Sequence, residues 1–278
     1  MTSEETTHQD QRADRDERGI WSDEVGPADG PLVVLVHGSM DRSTGMLKVS
    51  RQIDRVCRVL RYDRRGYGRS SPHPGPFMMA DQVDDLVALL RGRTADVVVG
   101  HSYGGNVALS LAAHHPALVR AVSIYETPLS WEPWWPGTTA GAVAVASAGD
   151  PEAAAERFMR RMIGNARWEA LPERTRTQRL VEGAAMVGEL ADLRMHRPWE
   201  AAAIGVPVLA GYGTGGSPHH RTGMEHVATT VVGARAVELE GCRHDAPLSH
   251  PALFADEMVL PLLPLLPLPT SDRQLPNG

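Results

Sequence analysis

Gly100-His101-Ser102-Tyr103-Gly104 is a Gly-x-Ser-x-Gly run, and what flanks it decides its chemistry. Before it, ADVVVG (95–100) is a short continuous apolar run of the kind a buried strand shows. After it, HSYGGNVALSLAAHHP (101–116) has helical spacing ended by Pro116. A serine at the apex of a strand-to-helix turn is held in a strained conformation with its hydroxyl presented outward. The helix N-terminus below supplies partial positive charge and unpaired N–H groups for a developing oxyanion. The chemistry is nucleophilic attack by Ser102 on a carbonyl, if an imidazole takes the hydroxyl proton and a third group orients the imidazole.

The elements that must position this turn follow a regular rhythm. PLVVLVHG (31–38) reads as a buried parallel strand, MLKVSRQIDRV (46–56) as helix and CRVLRYD (57–63) as strand. A loop (63–76) and an amphipathic helix, FMMADQVDDLVALLRG (77–92), come next, and LVRAVSIYE (118–126) is a further strand. VPVLAGYG (206–213), RTGMEHVATTVV (221–232) and ARAVELEG (234–241) resume as strand, helix and strand, and a helix starts in HPALFADEMVLPLL (250–263). Alternation of this kind predicts an α/β fold, a mostly parallel central sheet with helices on both faces. Between 127 and 205 the rhythm breaks into Ala-, Arg- and Glu-rich helical spacing, read as an inserted helical cap. The expected organisation is a polar disordered leader (1–18), a core (19–126 and 206–262), the cap (127–205) and a Pro-rich tail (263–278). Residues 19–31 have room for one short edge strand.

LVHGS (35–39), YDRRGYGRS (62–70), GHSYGG (100–105) and EGCRHDAP (240–247), in that order, resemble the α/β-hydrolase family, and the likeness runs from about residue 20 to residue 260. The resemblance implies an α/β-hydrolase fold and an oxyanion hole made by the backbone N–H groups of Ser39 and Tyr103, with Met40 as neighbour. It also places the catalytic base just past the last strand, at His244, chosen among twelve histidines. His37 is read as shaping its loop, His101 as packing or hydrogen-bonding locally and His250 as structural, while His114, His115, His219 and His220 have no evident partner. Asp63, Gly66 and Gly68 belong to a family turn and are read as structural.

The acid departs from the family pattern. Most members carry an Asp in the loop after the strand at 206–212, but here that loop is GYGTGGSPHHR and there is no Asp or Glu between Glu200 and Glu225. Two readings stay open. Either the triad is lost and the protein is a weak enzyme or a non-catalytic small-molecule receptor, or Glu126 supplies the acid from the end of the preceding strand. Neighbouring strands lie about 4.8 Å apart, so a Glu side chain can cross to the same histidine. The zearalenone-type lactone hydrolases have a Glu at that position, and their base lies in a stretch similar to GCRHDAPLSHPALFA (241–255). The catalytic set is then Ser102, His244 and Glu126.

Trp131, Trp134 and Trp135 follow Glu126 closely and, with Met40, are the candidate substrate contacts, pointing to an apolar or aromatic ester or lactone. Trp168 and Trp199 are read as pinning the cap. Serine hydrolysis is the leading expectation; acyl transfer in the same pocket is an alternative. The 278 residues carry a net charge of −6, against a nucleic-acid binder. Cys57 and Cys242 cannot build a disulfide framework, no apolar run reaches about 18 residues and no signal peptide is evident, so a cytoplasmic protein off the membrane is expected. No dinucleotide fingerprint follows the first strand and no His/Cys/Asp group has metal-ligand spacing, so neither cofactor nor metal is expected. Oligomeric state is not encoded in any of these features.

Overall fold

The computed structural model describes residues 12–263. Its strands are β1 (Arg12–Arg15), β2 (Trp21–Val25), β3 (Leu32–Val36), β4 (Arg58–Tyr62), β5 (Val97–His101), β6 (Val122–Tyr125), β7 (Val208–Gly213) and β8 (Ala234–Leu239). They form one eight-stranded sheet in the order β1-β2-β4-β3-β5-β6-β7-β8. β1 and β2 pair antiparallel, as do β2 and β4; every other pairing is parallel.

The apolar runs of β3 and β5 are apolar because both faces of the sheet are covered. Val34, Val36 and Val98 join one core layer, while Val33, Leu35, Val97 and Val99 join the other. α1 (Leu47–Ile53) covers the second face together with a helix from the far end of the chain, through Val49, Ile53, Phe254 and Met258. α2 (Met79–Leu90) and α3 (Tyr103–His114) cover the first face. Between β6 and β7 lie α4 (Ala140–Val145), α5 (Pro151–Ile163), α6 (Asn165–Glu169), α7 (Glu173–Val181) and α8 (Gly183–Met195). Ala144, Phe158, Trp168, Met186 and Leu190 from these helices extend the first core layer. α9 (Pro218–Thr230), α10 (Ala246–Ser249) and α11 (Pro251–Met258) complete the chain.

Two expectations are corrected at the N-terminus. The polar stretch 1–18 is not wholly a disordered leader, because Arg12–Arg15 forms a strand; residues 1–11 lie outside the described residues. Trp21–Val25 is therefore second from the edge, not the edge itself. An outer strand is held by its backbone bonds to one neighbour and can carry charge on its side chains, which is also how natural sheets keep their edges from pairing with other chains. The last helix starts where expected and stops before the prolines. α11 ends at Met258 and a tight 3₁₀ turn follows at Leu260–Leu262, where Pro261 removes a backbone donor. Of the Pro-rich tail, only Leu263 falls within the described residues.

Candidate active site

The sheet register gathers the site. His101 is level with Tyr125, and Tyr125 with Gly211, so Ser102 and Glu126 each begin the first residue beyond adjacent strands. Gly213 is level with Leu239, which starts the loop that carries His244.

Ser102 has φ 53° and ψ −126°, a conformation that non-glycine residues rarely adopt. Its N–H donates to the Tyr125 carbonyl at 2.9 Å, tying the turn to the next strand. A Cβ on Gly104 would sit 2.4 Å from the Val36 carbonyl oxygen, so the first turn of α3 closes against β3 only because that residue has no side chain. The described residues contain four non-glycine residues with positive φ: Met40, Arg91, Ser102 and Glu126. Arg91 simply caps α2. The other three are the nucleophile, acid and oxyanion-loop neighbour picked out from the sequence, and strain of this kind persists where surrounding contacts over-determine it.

Glu126 is fully buried. Its Oε2 accepts from His244 Nδ1 at 2.8 Å, and its Oε1 accepts from the Gly213 N–H at 3.1 Å. A Cβ on Gly216 would lie 2.6 Å from that Oε1. The loop that lacks the usual acid is thus glycine-rich where the Glu126 carboxylate needs space. Burial works to raise the Glu126 pKa, but the two neighbouring imidazoles, His220 and His244, outweigh it and hold the carboxyl well below the usual range.

The base loop is fixed from below by two strand ends. Tyr125 Oη donates to the Arg243 carbonyl at 3.0 Å, and His101 Nε2–H donates to the His244 carbonyl at 2.8 Å. His101 thus packs against Tyr125 and His244, and its hydrogen bond goes to the loop after β8 rather than to a sequence neighbour. Burial, with the neighbouring His244, pushes its pKa down to about 3, so it stays neutral. Thr214 Oγ1 accepts from Gly241 N–H at 2.7 Å and Gly215 N–H donates to the Cys242 carbonyl at 2.9 Å, joining the loops after β7 and β8.

His220 is the residue that sequence reading missed. It stacks on His244 with ring centroids 4.9 Å apart and planes 19° from parallel. Its Nδ1 lies 2.8 Å from the same Glu126 Oε2, but no aligned hydrogen bond forms there. Burial lowers its pKa. Nothing in the chain spacing links positions 126, 220 and 244; a histidine directly after the acid-free loop was the only cue.

The loop expected to supply the second oxyanion donor is clamped at every residue. Arg64 Nε donates to the His37 carbonyl and Nη2 to the Gly38 carbonyl, both at 3.0 Å. Ser39 Oγ donates to Glu189 Oε1 at 2.6 Å, and Arg179 Nη1 donates to the Met40 carbonyl at 2.5 Å. Arg64 and Glu189 form an ion pair at 2.6 Å with no exposure on either side, and the guanidinium carbon sits 4.7 Å from the centroid of the Tyr103 ring. His37 shapes its loop as expected: Nδ1–H donates to the Gly38 carbonyl and Nε2 accepts from the Arg64 N–H. Burial and the Arg64 charge keep it neutral. Asp63 also has the structural place expected for it, accepting from the Ser43 and Arg69 N–H groups, and Gly66 and Gly68 both have positive φ.

Of the tryptophans, Trp135 packs edge-on against His219 at 4.9 Å and lies 6.1 Å from His220. Trp134 lies against His226, and Trp131 against Trp199, whose Nε1–H is bound by Asn106 Oδ1 at 2.9 Å. Trp168 is buried within the helical segment. No helix among the described residues is long and apolar enough to cross a membrane.

A mostly parallel sheet with a strained serine between β5 and α3, and a His–Glu pair at the ends of the neighbouring strands, is the setting in which the comparisons are read. The family model described as "Alpha/beta hydrolase family" matches residues 33–257, and the chain belongs to that family. It is 36% identical over 115 residues to an sn-1-specific diacylglycerol lipase of Xenopus tropicalis, covering 39% of this chain and 35% of that protein. The curated relatives are matched over only 23% to 39% of their own length. Among solved structures, a hydrolase from Pseudomonas aeruginosa superposes with TM-score 0.72 at 24% identity, over 92% of this chain and 99% of that one. An enol-lactonase from Burkholderia xenovorans superposes with TM-score 0.64 at 24% identity, over 85% and 94%. At these identities the solved structures speak for the fold.

Proposed function

We propose that this protein is a serine hydrolase that cleaves a carboxylic ester or lactone through an acyl-enzyme on Ser102, without a cofactor. The observation that carries the reading is the 2.8 Å His244–Glu126 hydrogen bond beside a serine strained at a strand-to-helix turn. With Nδ1–H given to Glu126, the neutral imidazole keeps its Nε2 lone pair for the Ser102 proton. Ser102 Oγ attacks the carbonyl carbon, and the tetrahedral oxyanion is received by the Ser39 and Tyr103 N–H groups. The imidazolium formed is stabilised by the ionised Glu126. It returns its proton to the leaving alkoxide, the acyl-enzyme remains, and His244 then activates a water that releases the acid. In a lactone the leaving alcohol stays joined to the acyl group and leaves with it as a hydroxy acid.

Met40, Trp131, Trp134 and Trp135 are the proposed substrate contacts, favouring an apolar or aromatic acyl or ring group. A diacylglycerol lipase among similar sequences, and an enol-lactonase and an esterase among proteins of similar fold, are in keeping with this substrate class. The test is a panel of p-nitrophenyl esters and lactones on wild type, Ser102→Ala and Glu126→Gln. Turnover by wild type that disappears in Ser102→Ala supports the reading. Tight reversible ligand binding with no turnover would favour a receptor on the same fold instead.

A further inference from the structure

Along the chain no histidine and acid spacing suggests a metal, yet the end of β6, the first turn of α9 and the loop after β8 bring three metal-ligating groups to one point. One donor atom from each of Glu126, His220 and His244 lies within 4.8 Å of the other two. The two Nδ1 atoms are each 2.8 Å from the same carboxylate oxygen. His220 Nδ1 is shut off from solvent and has no hydrogen-bond partner. It is a buried nitrogen without a partner, beside a carboxylate oxygen already bound by another group.

We propose that these residues form a binding site for a divalent transition metal ion such as Zn²⁺, and that the bound ion is a reversible inhibitor. Two imidazoles and one carboxylate are a borderline-soft donor set of the type that takes Zn²⁺ and disfavours Mg²⁺. Zn–N and Zn–O bonds of about 2.0–2.2 Å put neighbouring ligand atoms of a tetrahedral ion about 3.3 Å apart. Each Nδ1 therefore has to retreat from Oε2 by about half an ångström, and one of the two stacked rings has to turn so that both Nδ1 lone pairs converge on the ion. The second carboxylate oxygen keeps its bond to the Gly213 N–H and orients the ligand from behind.

The inhibition follows from proton accounting. Neutral His244 has one ring proton, held on Nδ1 in the metal-free site. Coordination uses the Nδ1 lone pair, so that proton relocates to Nε2 through solvent with no net release. Nε2 then carries hydrogen and cannot accept the Ser102 proton. This consequence rests on the serine-hydrolase reading; the binding itself does not.

Binding is measured by titrating Zn²⁺ alone into metal-stripped Ser102→Ala protein by calorimetry, with Mg²⁺ as the hard-cation control. One Zn²⁺ site is expected, with affinity falling at least tenfold in Ser102→Ala/His220→Ala and in Ser102→Ala/His220→Gln, each verified as folded by circular dichroism. Absence of a stoichiometric site, or unchanged affinity in both folded double variants, overturns the site. In wild type, Zn²⁺ at saturating concentration is expected to stop ester turnover and a chelator to restore it. Full turnover with the ion bound overturns the inhibitory role. If wild type turns over no ester but Zn²⁺ still binds through His220, the hydrolase reading fails and the metal site stands.

Discussion

Glu126 binds one carboxylate oxygen to His244 and the other to the backbone N–H of Gly213, in the very loop that lacks an acid of its own. From the end of β6 its side chain reaches across to His244 in the loop after β8. This arrangement makes the charge, position and surroundings of Glu126 separately testable.

The first expectation concerns charge. Glu126→Gln keeps the shape of the side chain but removes the anion that fixes the His244 tautomer and stabilises its charged form. By analogy with the same change in a known triad, kcat should fall about 10²–10⁴-fold, with KM little altered. Ester turnover under saturating substrate provides the check, and an unchanged kcat would remove Glu126 from the mechanism.

Position is tested through Gly216. A methyl group there meets Glu126 Oε1 at 2.6 Å, closer than any ordinary contact. Gly216→Ala should push the carboxylate off Gly213 and His244 and lower kcat by up to about 10²-fold, the loss a displacement of about 1 Å can bring. Circular dichroism should show an intact fold. Full activity in a folded Gly216→Ala would mean that the acid tolerates movement.

The oxyanion loop depends on residues far from it in sequence. Glu189→Ala leaves Arg64 buried without its partner, and removing one member of a buried pair costs about 3–5 kcal/mol. Chemical denaturation should show that loss. Glu189→Gln is expected to fold better yet still lose kcat, because the Ser39 hydroxyl and Arg64 no longer share an anion that holds the loop. Wild-type kcat in Glu189→Gln would show that the loop keeps its shape unaided.

Acid stability follows from His101. Its pKa is pushed down to about 3 in the folded protein from an ordinary value of 6.5, so the unfolded chain binds the proton first. The folded state has its full advantage above about pH 6.5 and loses it progressively as pH falls toward about 3. Unfolding free energy measured from pH 7 to pH 4 should drop more steeply for wild type than for His101→Gln. Parallel curves for the two proteins would count against a buried neutral His101.

Much of this site is legible in the sequence for physical reasons. Ser102 and His244 sit in short-range patterns that report strand ends. Glu126 is legible only by subtraction, since the loop after β7 has no acid. What escapes is whatever depends on distant pairing. His220 has no local signature, because its partner lies across two strand ends. Arg64 and Glu189 are 125 residues apart, and a Glu on α8 reads as an ordinary exposed helix residue until the helix is docked. β1 escapes because an edge strand held by backbone bonds can be mostly charged, and its RADR sequence looks like the leader before it. The α/β alternation, by contrast, came from two-sided burial of β3, β5 and β6, which the apolar runs register directly.

The central claim is that Ser102 is made nucleophilic by His244 leaning on Glu126. Its most direct test is the rate of covalent labelling by a fluorophosphonate, mapped to a residue by peptide mass spectrometry, in wild type, His244→Ala and Glu126→Gln. Labelling is predicted at Ser102 alone, fast in wild type, slower in Glu126→Gln and slowest in His244→Ala. Labelling at another residue, or equal rates in all three folded proteins, would contradict it.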